Sequence, residues 1–248
     1  MGFTSAFRMF QGTNAGYALT NSVQFDNSSN EWFYKSDLSA SNQQKAIWSV
    51  WIKRTAGIEL RRDIFSAGTY PNYYDCNFDN QDRISMAGAG VWTAYTDNSF
   101  SSQSTWYHIV VRIDTTASSG NRVKVWVNGS LQSLSHESGY ATEPSLNSNL
   151  YLGNNGTKHI IGTYNDQAST ALDGKLADFN LVFGQGTLDY SDFASGNTPK
   201  EFTGYSDGGD VHLKFDDTSD LGNDTSGNNN DWSLNNISSA DASTDVPS

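Results

Sequence analysis

Apolar and polar residues alternate with period two along several stretches, the pattern of strands that bury one face. In residues 46–53, Ala46, Trp48, Val50 and Ile52 form one row, and the other mixes Ser49 and Lys53 with Ile47 and Trp51. The corresponding row in residues 106–113 is Tyr107, Ile109, Val111 and Ile113, and in residues 122–127 it is Val123, Val125 and Val127. Asn128-Gly129 follows at once, and both residue types tolerate the positive φ of a two-residue hairpin. Over residues 175–183 the odd positions Lys175, Ala177, Phe179, Leu181 and Phe183 align, with Asp178 and Asn180 opposite. Shorter strands are predicted at 22–25, 31–34, 63–67, 84–86, 91–95, 150–152, 159–164 and 211–215, separated by Gly, Asn, Ser and Asp clusters. So many short strands predict an all-β chain, two antiparallel sheets in a jelly-roll sandwich. Only residues 188–193 read as a helical turn.

Charge and composition narrow the function. The 27 acidic residues against 15 basic leave a formal charge of −12, and the longest basic clusters are the pairs Lys53-Arg54 and Arg61-Arg62. Neutralising phosphates takes clustered Lys and Arg, so nucleic acid is excluded as a partner. No apolar run approaches the ~18–20 residues of a membrane span, and residues 1–10 lack a secretory leader pattern. Cys76 stands alone, which excludes an internal disulfide, and its neighbour Asp75 disfavours a thiolate. Residues 216–248 are crowded with Asp, Asn, Ser, Thr and Gly. They predict an extended acidic C-terminal arm lying on the sandwich or on a neighbour, after an N-terminal arm at 1–20 and the sandwich proper at 21–215.

Glycosidic cleavage usually needs two carboxyl groups a few ångström apart. None of Glu31, Glu59, Glu137, Glu143 and Glu201 has an acidic partner two to four residues away in a predicted strand, and Asp173 and Asp178 are five apart. The chain is therefore expected to be non-catalytic, with a polysaccharide-cleaving enzyme as the minor alternative. His108, His136, His159 and His212 share no metal-ligand spacing, and those in strands read as structural. Calcium favours loops that supply several oxygens, and Asp216, Asp220 and Asp224 lie in the densest such loop. No cofactor is required by the sequence, with calcium the one ion to consider. Saccharides stack their C–H faces on aromatic rings ringed by polar side chains. Tyr70, Tyr73 and Tyr74, near Asn72 and Asp75, form one such set; Trp92 and Tyr95, near Asp97 and Asn98, form another.

Several motifs resemble a known group. Val23-Gln24-Phe25-Asp26, Trp48-Ser49-Val50-Trp51-Ile52-Lys53-Arg54 and Ile64-Phe65-Ser66-Ala67-Gly68 resemble the first half of a laminin G-like, concanavalin A-like domain. Trp106-Tyr107-His108-Ile109-Val110-Val111 resembles its middle strands, and Leu172-Asp173-Gly174-Lys175-Leu176-Ala177-Asp178-Phe179 its closing strand. Thr198-Pro199-Lys200-Glu201-Phe202-Thr203-Gly204, His212-Leu213-Lys214-Phe215-Asp216 and the run from Asp224 to Trp232 are similar to virion proteins of tailed, especially marine, bacteriophages. The resemblance implies a surface protein of the virion, of capsid or tail decoration or fibre type, assembled in the host cytoplasm. Its sandwich would present loops to host surface polysaccharide; the alternative is a purely architectural protein docking on neighbouring virion subunits. A homo-oligomer is expected, because virion sites are symmetric. The resemblance also permits a rim calcium.

Overall fold

The computed structural model describes residues 17–248, so the predicted N-terminal arm lies almost wholly outside the described residues. The strands are β1 (Ser22–Phe25), β2 (Trp32–Lys35), β3 (Lys45–Arg54), β4 (Arg62–Thr69), β5 (Asn72–Phe78), β6 (Ile84–Gly88) and β7 (Trp92–Thr96). They continue as β8 (Tyr107–Asp114), β9 (Val123–Val127), β10 (Ser130–Leu131), β11 (Leu134–Ser135), β12 (His159–Ile161) and β13 (Gly174–Phe183). The last are β14 (Ala194–Ser195), β15 (Thr198–Pro199), β16 (Val211–Leu213), β17 (Ser233–Asn235) and β18 (Ala242–Ser243), with one helical turn, α1, at Tyr190–Phe193. Among the described residues no helix is long and apolar enough to cross a membrane.

Two antiparallel sheets face each other, as the alternation predicts. The first runs β10-β9-β8-β3-β13-β1-β18, with β16 also pairing β13; the second runs β11-β7-β6-β5-β4-β12-β2-β17. The rows Ala46/Trp48/Val50/Ile52, Ile109/Val111/Ile113 and Val123/Val125/Val127 all enter the core between them. Trp48 donates its indole N–H to the Tyr74 hydroxyl across that core at 2.9 Å. The β9–β10 hairpin turns on Asn128 and Gly129, both with positive φ (49° and 77°).

The first sheet departs from the half-wet expectation. Ile47, Val110, Trp126 and Val182 of its outer face are buried against Phe193 and Phe202, and Trp51 and Ala177 against Leu19 and Ala194. The mixed second row of β3 is thus apolar for a reason, since a returning segment covers it. The outer face of the second sheet carries Tyr73, Asp75, Asn77, Ser85 and Thr93 instead, and this is the face that remains open to a ligand.

Three other expectations are corrected. In β13 the register shifts between Ala177 and Asn180, where Asp178 takes φ 56°. A bulge adds one residue and reverses the alternation beyond it. Leu176 then shares the core with Phe179, Leu181 and Phe183, while Ala177 faces outward. The bulge also divides the strand's edge, with β1 pairing before it and β16 after it. Residues 150–152 form a turn rather than a strand, although Leu150 and Leu152 are buried. Residues 216–248 are no separate arm: β17 closes the edge of the second sheet, β18 that of the first, and Leu221, Trp232 and Ile237 enter the core.

Candidate functional site

Side chains alternate across a strand, and β5 therefore divides the tyrosine cluster that the sequence groups together. Tyr73, Asp75 and Asn77 point outward; Tyr74, Cys76 and Phe78 point into the core. Tyr74 is 2% exposed and Trp92 3%, so neither presents a face to a ligand in the groove, and both are corrected to core residues. At the end of the sandwich they border a smaller cavity of about 200 Å3 with Val91 and Tyr151. The Cys76 thiol is pushed far up by burial and is inert.

The outward residues of β5, β6 and β7 floor a groove of about 530 Å3, within the size range of small-ligand sites. Tyr70, 75% exposed, and Tyr140 stand at its walls beside Tyr73 and Tyr164. Ring centroids lie 6.3 Å apart for Tyr70 and Tyr73 and 5.7 Å for Tyr73 and Tyr164. Burial raises the Tyr73 and Tyr164 hydroxyls above the usual phenol range, which keeps both neutral. Tyr95 does not line the groove; it lies under Arg83, whose guanidinium sits 3.7 Å above its ring. Arg83 in turn reaches Asp79 through Nε at 2.7 Å and Nη2 at 2.6 Å. Sequence reasoning missed Arg61, Tyr140 and Tyr164, which come from three separate connections. The one available signal was parity along β5, which puts Tyr73 beside Asp75 and Asn77.

Beneath the groove two carboxyl groups meet. Arg61 Nη2 lies 2.9 Å from Asp63 Oδ1 and 2.7 Å from Asp75 Oδ2, which also accepts from Asn77 at 2.9 Å. Asp63 Oδ2 and Asp75 Oδ1 are both buried without a hydrogen-bond partner, and Arg61 Nη2 holds the two carboxyls side by side. A proton placed between them would satisfy both oxygens. Burial, then the neighbouring carboxyl, holds Asp75 well above the usual carboxylate range; burial raises Asp63 too, against the pull of Arg61.

A carboxyl that holds its proton more tightly folded than unfolded stabilises most below its unfolded pKa. That contribution is lost as pH rises from the ordinary carboxylate range through the raised value. Asp75→Asn puts a permanent amide N–H where that proton would sit. Relative to wild type, its melting temperature is expected to climb between pH 5 and pH 9 by a few degrees, at about 2–4 °C per kcal/mol for a domain of this size. Parallel melting curves across that range contradict the shared proton.

The predicted calcium ligands do not converge. Asp224 Oδ1 accepts from the backbone N–H of His212 at 2.8 Å and of Ser226 at 3.0 Å. Its Oδ2 accepts from the Asn230 N–H at 2.8 Å and the Ser226 hydroxyl at 2.8 Å. This carboxylate ties loops together and has no lone pair directed at a cation. Asp216 pairs with Lys214 at 2.5 Å and, with Asp220, borders a different cavity of about 460 Å3. Among the described residues no group of three or more His, Cys, Asp or Glu is disposed to hold a metal. The histidines in strands are hydrogen-bonded: His108 to Ser49 at 2.8 Å, His212 to Asp178 at 2.9 Å and Thr225 at 2.8 Å. His159 accepts from the Gly153 N–H at 2.9 Å, and burial lowers both His108 and His159 to about 4.

The fold has relatives among solved structures. A Bacteroides ovatus protein, provisionally described as carbohydrate-binding, superposes with a TM-score of 0.60 at 15% identity, over 93% of this chain and 62% of its own. The full extracellular region of zebrafish Gpr126/Adgrg6 does so with a TM-score of 0.57 at 16% identity, over 92% of this chain and 26% of its own. The chain thus spans less than two thirds of either relative. A search of curated proteins finds no match by sequence. The sequence profile of the concanavalin A-like lectin/glucanases superfamily matches residues 12–182. The chain belongs to that superfamily.

Proposed function

We propose that the chain is a non-catalytic glycan-binding domain whose site is the tyrosine-walled groove on the outer face of the second sheet. One observation carries this reading: Tyr70, Tyr73, Tyr140 and Tyr164 border a single groove floored by Asp75, Asn77, Ser85 and Thr93. Aromatic faces take the C–H faces of a sugar, and the floor offers hydrogen-bond partners to its hydroxyls. The carbohydrate-binding description of the Bacteroides ovatus relative agrees with it. The carboxyl pair below the groove argues against hydrolysis. Asp63 and Asp75 are both buried and both bound by the same Arg61 nitrogen, at 2.9 and 2.7 Å, so neither is free to reach a glycosidic bond as acid or nucleophile.

The finer setting, a virion surface protein of a tailed phage that attaches to host polysaccharide, rests on the sequence resemblance of residues 198–232. Many copies on one particle would then multiply a weak single-site affinity. In the architectural alternative the same aromatic rings and residues 216–248 dock on neighbouring subunits, and that segment instead supplies edge strands to its own sandwich.

Screening the isolated chain on a glycan array, then titrating the best ligand, tests the reading. Tyr73→Ala removes the ring shared by two aromatic contacts and is expected to weaken binding about tenfold or more, as for a tyrosine hot spot. Unchanged affinity in a variant with the wild-type melting curve counts against the groove.

A further inference from the structure

We infer that the groove selects uncharged or amino-bearing saccharides and rejects those carrying carboxylate or sulfate groups. The inference rests on the glycan reading above and specifies its ligand class. Recognition of an anionic substituent calls for a guanidinium or ammonium whose charge is free to meet it. The two arginines of the groove are both committed to acids of the protein. Arg61 lies between Asp63 and Asp75, at 2.9 and 2.7 Å, and Arg83 is held from two nitrogens by Asp79. Such arginines still donate hydrogen bonds to sugar hydroxyls, but their charge is already balanced.

The remaining charge at the groove is negative. Glu137 borders it, exposed, with no ion-pair partner among the described residues. Asp63, Asp75, Asp79 and Glu137 outnumber Arg61 and Arg83 even with one proton counted on the Asp63–Asp75 pair. An anionic substituent entering here meets like charge in a partly desolvated site and finds no unbalanced cation to compensate, which is selection by a repulsive element. An amino group entering the same space has Glu137 to meet. The tyrosine walls are indifferent to the substituent's charge, so the discrimination resides in the acids.

The chain's net charge of −12 repels polyanions at long range, and the experiment must separate that from the groove. At 0.5 M NaCl the screening length falls to about 4 Å, which removes the long-range part and leaves contacts inside the groove. Neutral oligosaccharides that bind are compared there, by calorimetry, with singly sulfated or carboxymethylated counterparts of the same backbone. The wild-type chain is expected to bind the anionic member at least tenfold more weakly. Glu137→Lys is expected to narrow that gap at least tenfold. A wild-type preference for the anionic member, abolished by Tyr73→Ala, overturns the selectivity and leaves the glycan site standing. A gap that Glu137→Lys does not change overturns the assignment of selectivity to the groove. Absence of any Tyr73-dependent binding, to neutral and anionic members alike, overturns the glycan reading and this inference with it.

Discussion

A chain ending at Phe215 is expected to lose cooperative folding altogether. Residues 216–248 place Leu221 and Trp232, each 2% exposed, and Ile237 in the core between the sheets. The Trp232 ring lies 6.1 Å from Phe179 of the first sheet and 6.4 Å from Phe65 of the second, so it packs against both layers. The same segment closes both edges, β17 on β2 and β18 on β1, and ends with Asp245 bonded to Lys53 at 3.0 Å and Lys175 at 2.8 Å. Trp232→Ala alone is expected to cost about 3–5 kcal/mol, the usual penalty for emptying a buried tryptophan site. That lowers the melting temperature by roughly 10 °C in a domain of this length. Thermal denaturation followed by circular dichroism reads both effects. A truncated chain that melts cooperatively within about 5 °C of the full one would show that the segment is dispensable.

The second large effect is expected at Arg54, an ionised side chain with no exposed surface. Its Nη1 reaches Asp82 Oδ1 at 2.5 Å and the Phe100 carbonyl at 3.2 Å, and Nη2 donates to the Gly57 carbonyl at 2.7 Å. The guanidinium also lies 4.4 Å from the centre of the Phe78 ring. Together these contacts tie the end of β3 to the β3–β4, β5–β6 and β7–β8 connections. Arg54→Ala leaves Asp82 charged in a site where it is 5% exposed, and it frees two carbonyls. Removing one partner of a buried pair costs about 3–5 kcal/mol, because the other charge stays without compensation. Urea denaturation is expected to show that loss in Arg54→Ala, and a smaller one in the double variant Arg54→Met/Asp82→Leu, which removes both charges. Equal losses in single and double variants would place the stabilisation in packing rather than in the ion pair.

Much of the architecture was legible because alternation is a local property. The inner rows of β3, β8 and β9 read directly from the sequence, as did the Asn128-Gly129 turn. Arg54 continues the even-numbered row of β3, so the same parity marks it as an inward charge that needs a partner, though not which one. The groove was only half legible. Tyr70 and Tyr73 belong to it, but the sequence predicts no strand between residues 67 and 84, so the parity that sends Tyr74 inward along β5 stays hidden. Asp216, Asp220 and Asp224 were grouped by proximity along the chain, while in the fold Asp224 is bound by backbone donors from β16 and from the connection between β16 and β17.

The sequence by itself determined an antiparallel sandwich and the inner rows of its longest strands, since each depends on a residue and its neighbours two positions away. Tertiary structure alone decided the bulge at Asp178, the two edge strands drawn from the acidic terminus, and the meeting of Asp63 with Asp75 under Arg61. Those features depend on which strands pair and in what register. Pairing is settled by the packing of the whole core, so residues far apart in the chain become neighbours only once it is complete.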